Sequence, residues 1–260
     1  MTLFVRELGR RGDGPSVVVL HGGPDVGYRY LVPGFEPLAR DHHVVLFDFR
    51  GCGRSSRGLP VEALEPEYVV QDAHELIDVL DLGIVDLVGF STGGRAAMQF
   101  VDRYPEQVRR LVLASTTAYK GSESAQYLEG WAEYERRQRA EDAADGRLRN
   151  STIFVWDLDL APKFLALLGS DVGDWSEERA VRGLMHPWVT RDGEEILREF
   201  GKPILILHGE KDMGFPVQLA ERLHAAVPNS QLEVIPDAAH MCHFEKPEVW
   251  ARHLHEFLSR

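Results

Sequence analysis

Gly89-Phe90-Ser91-Thr92-Gly93 joins an apolar run, Val85-Asp86-Leu87-Val88, to an amphipathic one that extends from Arg95 to Tyr104. A serine between two glycines at a strand-to-helix junction is the sequence form of a nucleophile elbow. Such a turn is tight enough to hold its central residue in a strained backbone conformation, which lifts the hydroxyl clear of the sheet. Side chains at the flanking positions would collide with the neighbouring strand and helix, so Gly89 and Gly93 supply the room. Alone, the pentapeptide also fits a glycine-rich turn with an incidental serine. The residues downstream decide between the two.

A nucleophilic serine needs a base to take its proton and a carboxylate to hold that base in the right tautomer. Behind such an elbow the order is acid, then histidine, each on a loop after a strand. The buried-strand run Pro203-Ile204-Leu205-Ile206-Leu207 ends in His208-Gly209-Glu210-Lys211-Asp212, and a helix is expected from about Pro216. Asp212 therefore falls on a loop at the carboxyl end of a strand, although a helix-capping aspartate would sit there too. The next strand, Leu232-Glu233-Val234-Ile235, leads through Pro236-Asp237-Ala238-Ala239 to His240. Asp237 shares the loop of His240 and cannot easily reach the far nitrogen of its ring. His243 reads as a packed or solvated side chain, and His21 and His208 as loop-bracing ones. No carboxylate follows the strand Arg110 to Ser115, which removes the other usual position for the acid.

The oxyanion of a tetrahedral intermediate requires two backbone donors. One is expected from Thr92, at the start of a helix whose dipole favours negative charge. The other is expected from the loop His21-Gly22-Gly23-Pro24, which follows the strand Ser16 to Leu20. Gly23 is the candidate there, because Pro24 has no amide hydrogen.

Elsewhere strands and helices alternate as in a doubly wound sheet. An edge strand is expected over Thr2 to Leu8, strands over Val17 to Leu20 and Val44 to Phe47, and a helix over Glu67 to Leu80. A helix over Gly94 to Tyr104 follows, and the chain closes with a helix over Pro247 to Leu258. The alternation stops between residues 117 and 201. That stretch is charged, suits a long helix from Glu123 to Ala144, and contains one brief β-like run, Ile153-Phe154-Val155.

At 260 residues and 44% apolar, the chain can bury a sizeable core, and no run approaches the roughly 20 apolar residues of a membrane span. Its 41 acidic and 29 basic residues give a net charge of −12, which argues against a nucleic-acid partner. Two cysteines, Cys52 and Cys242, and no signal-like amino terminus suggest a reducing cytoplasm. Histidine pairs such as His42-His43 lack a metal-ligand spacing, and Gly51-Cys52-Gly53-Arg54 completes no phosphate-binding pattern. Neither a metal nor a cofactor is therefore expected.

Taken together, these residues resemble the α/β-hydrolase superfamily over nearly the whole chain, and within it the capped, proline-iminopeptidase-like branch. The branch likeness rests on His21-Gly22-Gly23-Pro24, Asp48-Phe49-Arg50-Gly51-Cys52-Gly53-Arg54-Ser55, the elbow, Gly209-Glu210-Lys211-Asp212, and His240 with Glu245 and Pro247. Two positions depart from the branch: Asp25 stands where glycine is usual, and Thr92 where tryptophan is usual. Phe90-Ser91-Thr92-Gly93-Gly94 is instead similar to the elbow of esterases related to cofactor-free haloperoxidases.

The resemblance implies an α/β fold with residues 1–116 and 202–260 as core and 117–201 as a helical cap. It implies catalysis by Ser91, Asp212 and His240 on an ester or amide of a small molecule. An iminopeptidase-type aminopeptidase is the first alternative, and a lyase or ligand receptor on the same fold the second. Substrate contacts are expected from Asp25 and from the cap tryptophans Trp131, Trp156 and Trp188. The same tryptophans would also serve as the cap's own core, and Asp25 as a loop cap. Self-association is left open, and no nucleic-acid or membrane partner is expected.

Overall fold

Apolar residues follow one another without a break in Val17-Val18-Val19-Leu20 and Ile204-Leu205-Ile206-Leu207, the pattern of strands buried on both faces. The computed structural model describes residues 1–23, 26–119, 131–140, 153–169 and 191–260. It places these runs in a seven-stranded sheet of β1 (Val5–Leu8), β2 (Val17–Leu20), β3 (Val44–Phe47), β4 (Val85–Phe90), β5 (Val108–Ala114), β6 (Ile204–Gly209) and β7 (Ser230–Ile235). The order is β1-β3-β2-β4-β5-β6-β7. β1 runs antiparallel to β3, and every other neighbouring pair is parallel.

The two-residue period of a strand sorts each run between two cores. Val18, Leu20, Leu87, Leu111, Leu113 and Ile206 pack with α2 (Pro66–Val79), α3 (Thr92–Arg103), α5 (Gly193–Phe200) and α6 (Val217–Ala226). Val17, Val19, Val88, Phe90, Val112 and Leu207 face the other way, onto α1 (Val32–Leu38) and α7 (Pro247–Leu258). Strand order reverses between β2 and β4. The chain leaves β2 toward α1 on one face and β4 toward α3 on the other. Their loops part at the carboxyl ends, the position where such sheets bind ligands.

Three expectations shift. The edge strand begins at Val5 rather than Thr2, because the preceding residues bind the 48–56 loop instead: Thr2 N donates to Ser56 Oγ (2.8 Å) and Phe4 N to Ser55 Oγ (2.8 Å). The helix after the elbow starts at Thr92 rather than Gly94, with Ser91 as its cap. Ile153-Phe154-Val155 forms a turn, not a strand, and the Phe154 carbonyl accepts from Met241 N (2.8 Å).

Between β5 and β6, residues 131–140 are helical and α4 spans Ala161–Gly169. Val155, Ala161 and Phe164 are buried in the same apolar cluster as Tyr28 and Tyr30. Ile196, Leu197 and Phe200 of α5 lie in the α3 cluster, so this last helix before β6 packs on the main sheet. The ends of the expected helix 123–144, together with Asp25, Trp175 and Trp188, lie outside the described residues. No helix among the described residues is long and apolar enough to cross a membrane.

The segment Asp48 to Ser55 braces the loop after β2. Asp48 accepts from Tyr28 N (3.0 Å) and Arg54 N (2.9 Å), which fixes the far end of the loop after β2. Arg50 forks onto Asp72, with Nε at 2.6 Å from Oδ2 and a second contact from Nη2 to Oδ1. Asp72 is 1% exposed. Removing the guanidinium takes away the cation forked onto a buried carboxylate, so Arg50→Met is expected to cost about 3–5 kcal/mol of stability by urea unfolding. A loss below about 1 kcal/mol would mean that water reaches Asp72.

Candidate active site

Ser91 adopts φ 55° and ψ −123°, a region open to glycine and strained for any side chain. The surroundings over-determine it. Ser91 N donates to Ala114 O (2.9 Å), and its carbonyl accepts from Gly94 N (2.9 Å) and Thr116 Oγ1 (2.6 Å). A Cβ on Gly89 would lie 2.5 Å from Gly93 O and 2.6 Å from Gly94 Cα. One on Gly93 would overlap the carbonyl oxygens of Leu20 and His21. Neither neighbour can yield, since both are backbone.

The hydroxyl so presented meets a histidine from β7's loop and a carboxylate from β6's loop. His240 Nε2 is 3.1 Å from Ser91 Oγ, and His240 Nδ1 is 2.9 Å from Asp212 Oδ2. The other Asp212 oxygen accepts from Gly214 N (2.9 Å) and Phe215 N (2.8 Å), which fixes the carboxylate's plane. An ionised carboxylate only accepts, so the Nδ1 of His240 carries the proton and its Nε2 lone pair faces the serine. Phe90 and Phe215 flank the imidazole, with ring centroids 5.3 and 5.5 Å away. Ser91, Asp212 and His240 are all buried.

The sequence rivals take other places. Asp237 is exposed, and its amide donates to Glu210 Oε2 (3.2 Å). His243 is fully buried; its Nε2 donates to Tyr30 O (3.1 Å), and burial lowers its pKa to about 3, so the ring is neutral. His208 Nε2 donates to Phe215 O (2.6 Å) and closes the acid loop, with burial again lowering its pKa. Burial pushes the Cys242 thiol up to about 12, which leaves no thiolate to compete with the serine.

The loop after β2 is oriented through its peptide planes. Phe49 N donates to His21 Nε2 (3.1 Å), so the proton of His21 sits on Nδ1 and is donated to Gly22 O (2.9 Å). In a trans peptide the carbonyl and the following N–H point opposite ways, so this bond aims the Gly23 amide away from His21. Gly22 N is spent on Tyr30 Oη (2.8 Å). Gly23 has φ 67°, and the Thr92 amide opens α3, where the first N–H groups have no intrahelical partner.

A family model described as the alpha/beta hydrolase fold matches residues 15–247. The chain belongs to the α/β-hydrolase fold family. It is 28% identical over 276 residues to a Bacillus subtilis (strain 168) protein provisionally named as a 2-succinyl-6-hydroxy-2,4-cyclohexadiene-1-carboxylate synthase, covering 94% of this chain and 90% of that one. A 2-hydroxy-6-oxo-2,4-heptadienoate hydrolase of Pseudomonas putida is 28% identical over 262 residues, 95% of this chain and 90% of its own. Among solved structures, a thermophilic esterase from Thermogutta terrifontis superposes with a TM-score of 0.75 at 26% identity, covering 99% of this chain and 93% of that one.

His21 braces the loop after β2 of this α/β-hydrolase centre, as its sequence position suggested. Two residues the sequence did not single out stand beside it: Tyr30 helps to set the same loop, and Phe215 walls His240. An aromatic between Asp212 and Pro216 was visible in the sequence, but nothing there said which ring it would touch. A cavity of about 350 Å³ lies beside the acid loop, lined by Trp156, Lys211, Asp212, Met213 and Pro216 among others. Ser91 and His240 do not line it. Trp156 carries Arg137 over its ring at 3.9 Å and Lys211 at 5.4 Å. Trp131 packs beside Tyr134 at 5.0 Å and is exposed.

Proposed function

We propose that this α/β-hydrolase cleaves a carboxylic ester of a small molecule through an acyl-enzyme on Ser91. The observation that carries the reading is the chain of contacts from Ser91 Oγ through His240 to Asp212, at 3.1 and 2.9 Å. Ser91 attacks the carbonyl carbon while His240 Nε2 takes its proton, and Asp212 stabilises the imidazolium. The tetrahedral oxyanion is held by the Gly23 and Thr92 amides. His240 then returns the proton to the departing alcohol, and a water molecule repeats the sequence to release the acid. Similarity to the Thermogutta esterase supports the ester reading. The two cysteines are buried and joined in no disulfide, which supports a reducing, cytoplasmic setting. The portion of residues 117–201 that precedes α5 serves, on this reading, as the cap.

One rival has an observation behind it: a relative is named as a synthase, which favours a non-hydrolytic reaction, such as a lyase's, on the same serine. A screen of aryl esters, thioesters and aminoacyl anilides in labelled water separates the possibilities. Simple acyl esters are expected to exceed prolyl and alanyl anilides in kcat/KM, with label entering the acid. Prolyl anilide cleaved faster than every ester would instead make the chain an iminopeptidase. Turnover without label in the product would make it a lyase.

A further inference from the structure

Glu245 is 8% exposed, and its carboxylate receives three backbone N–H groups. Oε2 accepts from Ala239 N (2.6 Å), the residue immediately before His240. Oε1 accepts from Trp156 N (2.8 Å) and Asp157 N (2.9 Å), on the segment between β5 and β6. The residue immediately after His240 is tied to the same segment, since Met241 N donates to Phe154 O (2.8 Å). Both neighbours of the histidine are thus anchored to residues 154–157. A buried carboxylate carries a desolvation cost that a leucine of similar size would not, so its three charge-assisted bonds mark a positional requirement. Burial raises the carboxyl's pKa, while the three donors and the adjacent Lys246 oppose that rise.

We infer that Glu245 is a positioning residue that clamps the His240 loop to residues 154–157, so that the place of the base depends on how that inserted segment sits. The inference rests on the hydrolase reading only for its kinetic readout. The clamp reaches His240 through the backbone, and its loss displaces the ring relative to Ser91 rather than removing any group that touches substrate.

Glu245→Gln puts an amide NH₂ where Ala239 N or the Trp156 and Asp157 amides need an acceptor. It is expected to lower kcat about 10- to 100-fold with KM within about two-fold, the scale of a base displaced by an ångström. The rate of organophosphonate addition to Ser91 is expected to fall in parallel, and the His240 ring resonances to shift. Asp157→Pro removes one donor from the far side, and the φ of −81° at Asp157 admits proline. Asp157→Ala keeps the N–H and serves as its control. Proline is expected to lower kcat by roughly three- to ten-fold relative to alanine, in line with one hydrogen bond of about 1 kcal/mol.

If Glu245→Gln fails to fold, the Asp157 pair decides alone, and equal kcat in Pro and Ala overturns the clamp. A folded Glu245→Gln with unchanged kcat, or with a loss confined to KM, overturns it as well. Unmoved His240 resonances in Glu245→Gln overturn it whatever reaction the serine performs. Phosphonate labelling that survives Ser91→Ala strikes the hydrolase reading instead and leaves the resonances to judge the clamp.

Discussion

Ser91→Ala is expected to abolish organophosphonate labelling and to leave only the residual enhancement of about 10³–10⁴-fold over water that oxyanion and binding contacts supply. The expectation follows from what surrounds the hydroxyl. Its oxygen is the atom that faces the lone pair of His240 Nε2, at 3.1 Å. The backbone at residue 91 is held by Ala114 O, Gly94 N and Thr116 Oγ1, none of which depends on the serine side chain. Alanine therefore keeps the turn and removes only the nucleophile. Intact-mass measurement should find one adduct per wild-type chain and none on the variant, with unchanged circular dichroism. Wild-type ester turnover in Ser91→Ala would end the assignment.

Asp212→Asn is expected to fold normally and to lose turnover by roughly 10⁴-fold. Oδ1 of Asp212 accepts two amides, from Gly214 and Phe215, so the asparagine oxygen will take that position. Its NH₂ then replaces Oδ2 and faces His240 Nδ1, where a donor had met an acceptor at 2.9 Å. The imidazole answers by moving its proton to Nε2, which turns the base into a donor toward Ser91. Asp237→Asn is the control and should change kcat little, because Asp237 is exposed on the far part of the loop. A large loss in Asp237→Asn beside an active Asp212→Asn would reassign the acid.

The parts of this centre that were legible in the sequence are those dictated by local backbone chemistry. Gly89 and Gly93 announce an elbow because only glycine tolerates the backbone atoms of Leu20, His21 and Gly94 at such range. Ser91, Asp212 and His240 each follow a strand run, and parallel strands carry their carboxyl ends to one edge, which brings the three together. Side chains whose partners lie far along the chain were not legible. Glu245 meets Trp156 and Asp157 across 89 and 88 positions, and the Tyr30 ring lies against Phe90 and His243, far along the chain. Ile153-Phe154-Val155 shows the same limit. Its β-branched residues suit a strand, yet none of the described strand pairings includes them and the Phe154 carbonyl takes Met241 N instead.

The left-handed backbone at residue 91 sets durability against chemistry at a single codon. A side chain in that conformation costs about 1–3 kcal/mol, which the rest of the fold must absorb for as long as the serine is needed. Glycine would sit there at ease, and serine reaches glycine by one nucleotide change from AGT or AGC. Durability and turnover therefore pull residue 91 in opposite directions, the first toward glycine and the second toward serine.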